Sequence, residues 1–261
     1  MSTLDSYTTA TRPAAASNTG LCIFNTDTKA IEVSDGTNYL TYNKDGITFD
    51  FSGSNSHSGI FDGSTDYVDL GVVSTLNGAS EQSVTFWFKS DVAGQLPDWG
   101  YRTASDKSFG FIDAGSGQRW FLVRNGSSTN NYELTSVIPT DTTTWHHWAA
   151  VFNGGNLAVY VDGSEIIGTL SGTQPATLEA STGDFYIGKF GNISFFADGL
   201  YDEFAIFNRA LTSTEISNIY NNKIYVAPSA MYRFDNDVTD ETGNFNGTNN
   251  GVTFEPTDKP Y

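Results

Sequence analysis

The residues of this chain that could do chemistry are two histidines side by side, two adjacent carboxylates and one aromatic-rich loop. His146 and His147 stand in WHHWAAVF (145–152), and a histidine within hydrogen-bond reach of a Ser or Cys would serve as the base of a nucleophilic catalyst. That run is apolar on both parities, so both histidines are expected as buried, structural residues of a covered strand. His57, in SGSNSHSG (52–59), has no evident partner. Asp202 and Glu203 are neighbours on a strand, and strand neighbours point to opposite faces, where they cannot share a substrate. The loop QLPDWGYRTASDK (95–107) is different in kind. Sugars present C–H faces that stack on aromatic rings and hydroxyls that pair with charged side chains, and Trp99, Tyr101, Asp98 and Arg102 offer both on one loop. These four are the candidate glycan site, with Trp99 as a cap on the core, or as a contact to another subunit, the alternative. No enzyme activity is expected.

The elements that must hold these residues are strands. After 145–152, Asn153-Gly154-Gly155-Asn156 tolerates the positive φ of a hairpin and Leu157 to Val161 returns antiparallel, while Asp162-Gly163 closes the next hairpin into Glu165 to Leu170. Such a meander needs no parallel crossover. A further strand spans 200–207, and Thr212 with Glu215 has the spacing of a capping box, so one short helix begins near Thr212 with Ile216, Ile219 and Tyr220 on one face. The expected class is all-β, a two-sheet antiparallel sandwich.

FDGSTDYVDLG (61–71), SVTFWFK (83–89), WHHWAAVF, the YVDG hairpin (160–163) and DEFAIFNRALTSTEI (202–216), in that order, resemble the laminin-G-like branch of the concanavalin A-like jelly rolls. The resemblance spans roughly 59–222 and implies two packed antiparallel sheets with loops at the rim. Glycosidases of that class carry a Glu-x-Asp-x-Glu run, which is missing here. Relatives commonly bind calcium where the acidic strand meets the first strand of the fold. Mapped onto this chain, Asp202 takes the acidic position and Asp235 lies on the matching segment, so the resemblance implies a structural calcium there; a solvated strand end for Asp202 and a turn for Asp235 are the plainer readings. The FDGSTDY turn is a weaker alternative.

The segment from Ala230 through FNGTNNGVTFE (245–255) looks like the start of such a module although it follows the helix. It either completes its own sandwich as a permutation, completes a neighbour's by strand exchange, or begins a truncated second module. The first is favoured, because an isolated start would leave Met231, Phe234, Phe245 and Phe254 without a core. At the other end, TRPAAASNTGLCIFNTDTKAIEVSDGTNYLTY (11–42) contains short strands near 21–25, 30–33 and 38–42, and resembles small β modules of bacteriophage tail-fibre and head-fibre proteins. The expected organisation is therefore an extended arm at 1–16, an attachment or oligomerisation module at 17–45, a jelly roll at 46–227 and a completing segment at 228–261.

With 261 residues, 38% hydrophobic and 14% aromatic, one sizeable core is affordable. The formal net charge of −17 argues against nucleic acid, which is held by clustered Lys and Arg, and against an anionic membrane surface. Cys22 is the only cysteine, flanked by Leu21 and Ile23 as on a buried strand, so no intrachain disulfide can form. MSTLDSYTTA shows neither a cationic region nor an apolar run of a secretion signal, and no window is apolar enough to span a bilayer. An adhesive sandwich with no export signal is expected to be built into a particle inside a cell. The expected function is a structural protein of a bacteriophage particle, exposed on the virion as a homo-oligomer, a trimer included, that meets other virion proteins and a host-surface glycan. A free carbohydrate-binding module of a bacterial surface protein is the alternative.

Overall fold

The computed structural model describes residues 6–8, 10–11, 13–14, 22–25, 30–34, 39–43, 46–50, 55–103, 105, 107–113, 119–126, 131–133, 138–178 and 182–261, with only the backbone course given for Tyr7, 22–25, 30–34, 39–43, 46–50 and 131–133. Most of the arm expected at 1–16, the side chain of Cys22 and the turns at 26–29 and 35–38 lie outside the described residues. In chain order the strands are β1 (Ser6–Tyr7), β2 (Cys22–Asn25), β3 (Ala30–Ser34), β4 (Tyr39–Asn43), β5 (Gly46–Asp50), β6 (Ser58–Asp62), β7 (Tyr67–Asp69), β8 (Glu81–Ser90), β9 (Trp99–Arg102), β10 (Lys107–Asp113) and β11 (Arg119–Asn125). They continue as β12 (Asn131–Glu133), β13 (His146–Asn153), β14 (Asn156–Val161), β15 (Ser164–Ile166), β16 (Thr169–Ser171), β17 (Tyr186–Ile187) and β18 (Asp198–Phe207). Helix α1 (Ser213–Asn222) follows, then β19 (Ile224–Val226), β20 (Ala230–Tyr232), β21 (Thr248–Asn250) and β22 (Thr253–Glu255).

The chain divides into two compact units, one of 1–54 with 221–228 and one of 55–220 with 229–261. The first is a sheet in the order β1-β2-β3-β4-β5-β19, antiparallel except for the parallel β1–β2 pair. It takes up 46–54 and 221–227, stretches that the pattern along the chain assigns to the jelly roll, together with 228 of the expected completing segment.

The second unit is an antiparallel two-sheet sandwich with one short helix, of the concanavalin A-like jelly-roll kind. One sheet runs β16-β12-β11-β10-β9-β17-β7-β21 and the other β15-β14-β13-β8-β18-β6-β22, with β20 on β18. Alternation decides which residues meet. On β8 and β13, Phe86 opposes Trp148 and Val84 opposes Ala150, all facing inward. Phe86 stacks on Phe204 at 5.3 Å and meets Phe111 and Trp99 edge-on, so the core is a run of interlocked rings. The outer side of the second sheet is covered by α1: Ile216 and Ile219 are buried, and Tyr220 stacks on Trp87 at 5.7 Å. The helix starts as its capping box requires, with Glu215 Oε2 accepting from Thr212 N at 2.8 Å and Thr212 Oγ1 accepting from Glu215 N at 3.3 Å.

The C-terminal segment feeds both sheets. β20 pairs with β18, β21 with β7 and β22 with β6, and Tyr232, Phe234, Val238 and Val252 enter the common core. No helix among the described residues is long and apolar enough to cross a membrane.

Candidate functional site

Trp99, Tyr101 and Asp98 are not on a rim loop. WGYR is the strand β9, and its odd positions face the core: Trp99 is 0% exposed and Tyr101 1%. Six rings surround Trp99, those of Phe86, Phe109, Phe111, Phe121, Phe185 and Phe204. Asp98 is 1% exposed; burial pushes its carboxyl well above the usual carboxylate range, and it accepts from Asp113 N at 2.8 Å. None of the three can stack on or bond to a sugar where it stands. The reason is local: a tryptophan and a tyrosine two apart share a face, and burying both releases more free energy than a surface role would.

The even positions of β9 point outward. Gly100 and Arg102 lie on the outer face, opposite Gly110 and Ser108 of β10. Over this face folds the loop 188–197, a hairpin in which Phe190 N donates to Phe195 O at 3.3 Å and Ala197 N to Gly188 O at 2.9 Å. Phe190 seats the loop on Ile112 and Leu122, with Trp120, Ile193 and Phe195 around it. Gly191 lets the loop come down on β9: its N–H donates to Gly100 O at 3.3 Å, and a Cβ there would lie 2.5 Å from Arg102 Cβ. The descent brings Asn192 over against Arg102.

Between them opens a surface groove of 230 Å³, lined by Arg102, Thr103, Thr182, Gly183, Asp184, Tyr186 and Asn192. Its size is below the roughly 300–1,000 Å³ of sites for drug-sized ligands, and suits a small polar unit. Tyr186 forms one wall; burial first, then the charges of Asp69 and Asp184, push its phenol up to about 12. The phenol therefore stays protonated and can donate and accept. Behind it, Lys189 Nζ sits 4.5 Å from the ring centres of both Tyr67 and Tyr186 and 5.7 Å from that of Phe196. This cation–aromatic packing holds the base of loop 188–197 and fixes the tyrosine's ring. Of the four residues that the sequence marks for a glycan, only Arg102 lines the groove. The sequence reading missed Asp184, Tyr186 and Asn192. The signal for Asp184 and Tyr186 is the parity of DFYI: Phe185 and Ile187 are buried, which turns these two to the other face.

The remaining chemical candidates are structural. His147 is buried and packs against Trp87. His146 is less enclosed than its apolar strand suggests: Nδ1 lies 2.7 Å from Asp162 Oδ2 and Nε2 3.0 Å from Asp141 Oδ2, two hydrogen bonds that clamp the open end of the β13–β14 hairpin. Asp202 and Glu203 do not point to opposite faces. A β-bulge interrupts the pairing of β18 with β8 between Asp202 and Ala205, Glu203 takes φ 50°, and both carboxylates fall into one buried cluster.

A calcium ion at Asp202 and Asp235 would have to draw its ligands from that cluster. Asp202 Oδ2 accepts from Asn55 Nδ2 at 2.6 Å and Oδ1 from Glu203 N at 2.8 Å. Asp235 Oδ1 accepts from Ser56 N, Ser56 Oγ and His57 N at 2.7, 2.6 and 3.0 Å, and Oδ2 faces Arg233 Nη2 at 2.9 Å. Calcium takes six to eight oxygens converging on one point. Here the oxygens are turned to N–H and O–H donors with a guanidinium among them, and no group of three acidic, His or Cys residues among those described could hold a metal. Asp202 and Asp235 do not fit the ion.

The fold is that of a lectin-type β-sandwich. The chain belongs to the concanavalin A-like lectin/glucanases superfamily, whose laminin-G-type model matches residues 62–217. No curated protein matches. Among solved structures, a provisionally assigned carbohydrate binding protein from Bacteroides ovatus is 21% identical with a TM-score of 0.55; the match covers 79% of this chain and 61% of that one. The heptameric SAP-like pentraxin of Limulus polyphemus is 15% identical with a TM-score of 0.52, over 77% of this chain and 95% of the other. At these identities the likeness is one of fold.

Proposed function

We propose that this protein is a carbohydrate-binding module carried on a bacteriophage particle, and that the groove between β9, the strand entry at 182–186 and loop 188–197 is where the glycan sits. The groove carries the reading: it joins a guanidinium, a carboxylate, an amide and a tyrosine in a cleft sized for a sugar unit. The fold likeness to a provisionally assigned carbohydrate binding protein supports the same reading. The role is adhesion rather than turnover. Glycoside hydrolysis needs two carboxylates flanking one bond; Asp184 is the one carboxylate among the described groove residues, and Asp202 and Glu203 are wholly buried.

The virion assignment rests on the resemblance of 11–42 to phage appendage modules, which would attach the sandwich to other virion proteins, oligomerise it and leave it exposed on the particle. A free adhesive module of a bacterial surface protein is the competing reading, and the likeness to the Bacteroides ovatus protein favours it. Glycan-array screening followed by calorimetry tests the groove. Arg102→Ala and Tyr186→Phe are each expected to weaken binding about tenfold or more, the usual worth of a hydrogen bond to a charged or buried group, with the melting temperature kept. Full binding by both variants would remove the groove from consideration. Fixed-copy recovery with purified particles would support the virion reading, and its absence would favour the free module.

A further inference from the structure

The seam where β18 meets β20 holds one base facing two acids, Glu203 and Asp235, with Asp202 beside them. Asp202 and Glu203 are 0% exposed and Arg233 is 5% exposed. Arg233 reaches Asp235 Oδ2 with Nη2 at 2.9 Å and Glu203 Oε1 with Nε at 3.5 Å, and Tyr261 Oη donates to Glu203 Oε1 at 2.7 Å. Phe234 and Asn236, on either side of Asp235, both have positive φ (56° and 69°), so the chain bends sharply to present Arg233 and Asp235 to one another. Buried carboxylates need a counter-charge, and this one is supplied by the polypeptide.

We propose that Arg233 is a built-in counter-ion filling the place of a bound cation at this seam, so that the sandwich is closed by its own guanidinium instead of by calcium. A planar guanidinium serves two carboxylates from one position, as a lysine's strongly hydrated ammonium does not. Being covalent, it has no dissociation constant, and the stability it confers carries no dependence on free cation concentration. The placement also couples charge to topology. Arg233 arrives on the C-terminal segment, so Glu203 finds its partner only when that segment has docked on β18. The proximity of Glu203 and Asp235 raises the guanidinium's already high pKa against the opposing effect of burial, keeping it charged.

Thermal unfolding of the full chain tests this. The wild type is expected to melt at the same temperature in EDTA and in millimolar calcium. Arg233→Met leaves Glu203 buried opposite no charge and is expected to lower the melting temperature by on the order of 10 °C, as removing one partner of a buried pair does. The double variant Arg233→Met with Glu203→Gln removes both charges at nearly constant volume, and should recover most of that loss. A wild-type melting temperature that rises by several degrees with calcium would overturn the proposal. So would a double variant that melts as low as Arg233→Met or fails to fold, since Arg233 would then act through packing and not through charge.

Discussion

Trp99 and Arg102, three positions apart on one strand, have opposite fates, and the difference sets what each substitution should do. Trp99→Ala empties the centre of a ring cluster and should cost about 3–5 kcal/mol, read as a fall in melting temperature; Arg102→Ala should leave the melt in place and reduce glycan binding. A Trp99→Ala protein that melts like the wild type would contradict the core assignment. His146 gives a pH signature. Its hydrogen bond to Asp162, and the one to Asp141, raise its pKa above the ordinary histidine value although burial opposes them. The folded state thus holds the proton more tightly than the unfolded chain. The stability it contributes is complete below the unfolded value of about 6.5 and is lost as pH rises through the folded value. The carboxyl of Asp141, lowered chiefly by its bond to His146, adds a contribution that disappears in acid. The gap in melting temperature between wild type and His146→Asn should therefore be widest near about pH 6 and narrow toward about pH 9; a gap constant across that range would rule the clamp out.

Loop 188–197 is the element on which the groove depends, because Asn192 and the packing of Tyr186 both follow from where it rests. Two features seat it: Phe190 on the Ile112–Leu122 patch, and Gly191 against Arg102. Gly191 has φ 56°, and a methyl there would also lie 2.7 Å from Arg102 N, which is backbone and cannot step aside. Gly191→Ala should lift the loop, costing about 1–3 kcal/mol of stability, and should abolish measurable glycan binding. Calorimetry beside a melting curve separates the two effects; undiminished binding would show that the loop does not form the site.

For the molecule as a whole, the decisive fact is that the last strands of the chain are built into both sheets of the sandwich, β21 and β22 as edge strands. β22 borders β6, β21 borders β7 and β20 borders β18, while Phe234 meets Phe61 edge-on at 5.9 Å. The tail beyond them is pinned as well: Lys89 pairs with Asp258, Trp145 Nε1 donates to Asp258 Oδ1 at 2.8 Å and Lys259 Nζ to Asn55 O at 2.7 Å. Deleting 229–261 strips both sheets of edge strands and opens the core at Phe61, Val68 and Phe204. The expected outcome is loss of the cooperative transition in near-ultraviolet circular dichroism, with exposed apolar surface driving aggregation. A truncated chain that still unfolds in one sharp step would mean that the segment only decorates a sandwich complete without it.

The amino-acid sequence by itself determined the class. Alternation of apolar residues, the Asn-Gly and Asp-Gly turns and the Thr212–Glu215 capping box are short-range signals, decided by sterics within a few residues, and they specify the strands, the helix and the jelly-roll order. Parity also marks Trp99 and Tyr101 as core once QLPDWGYR is taken as the entry to a strand, in which Gly100 serves a close approach to Gly110. Three things only the tertiary structure decided. Tyr186, Asp184, Asn192 and Arg102 become one groove because a loop folds back over a sheet. Asp202 and Glu203 share a cluster because a bulge shifts the alternation by one residue. Arg233 becomes the counter-charge of Glu203 because a segment 30 residues further along the chain pairs beside it. Each depends on which strands lie side by side, and that is settled by packing between residues far apart in the chain, which no local pattern encodes.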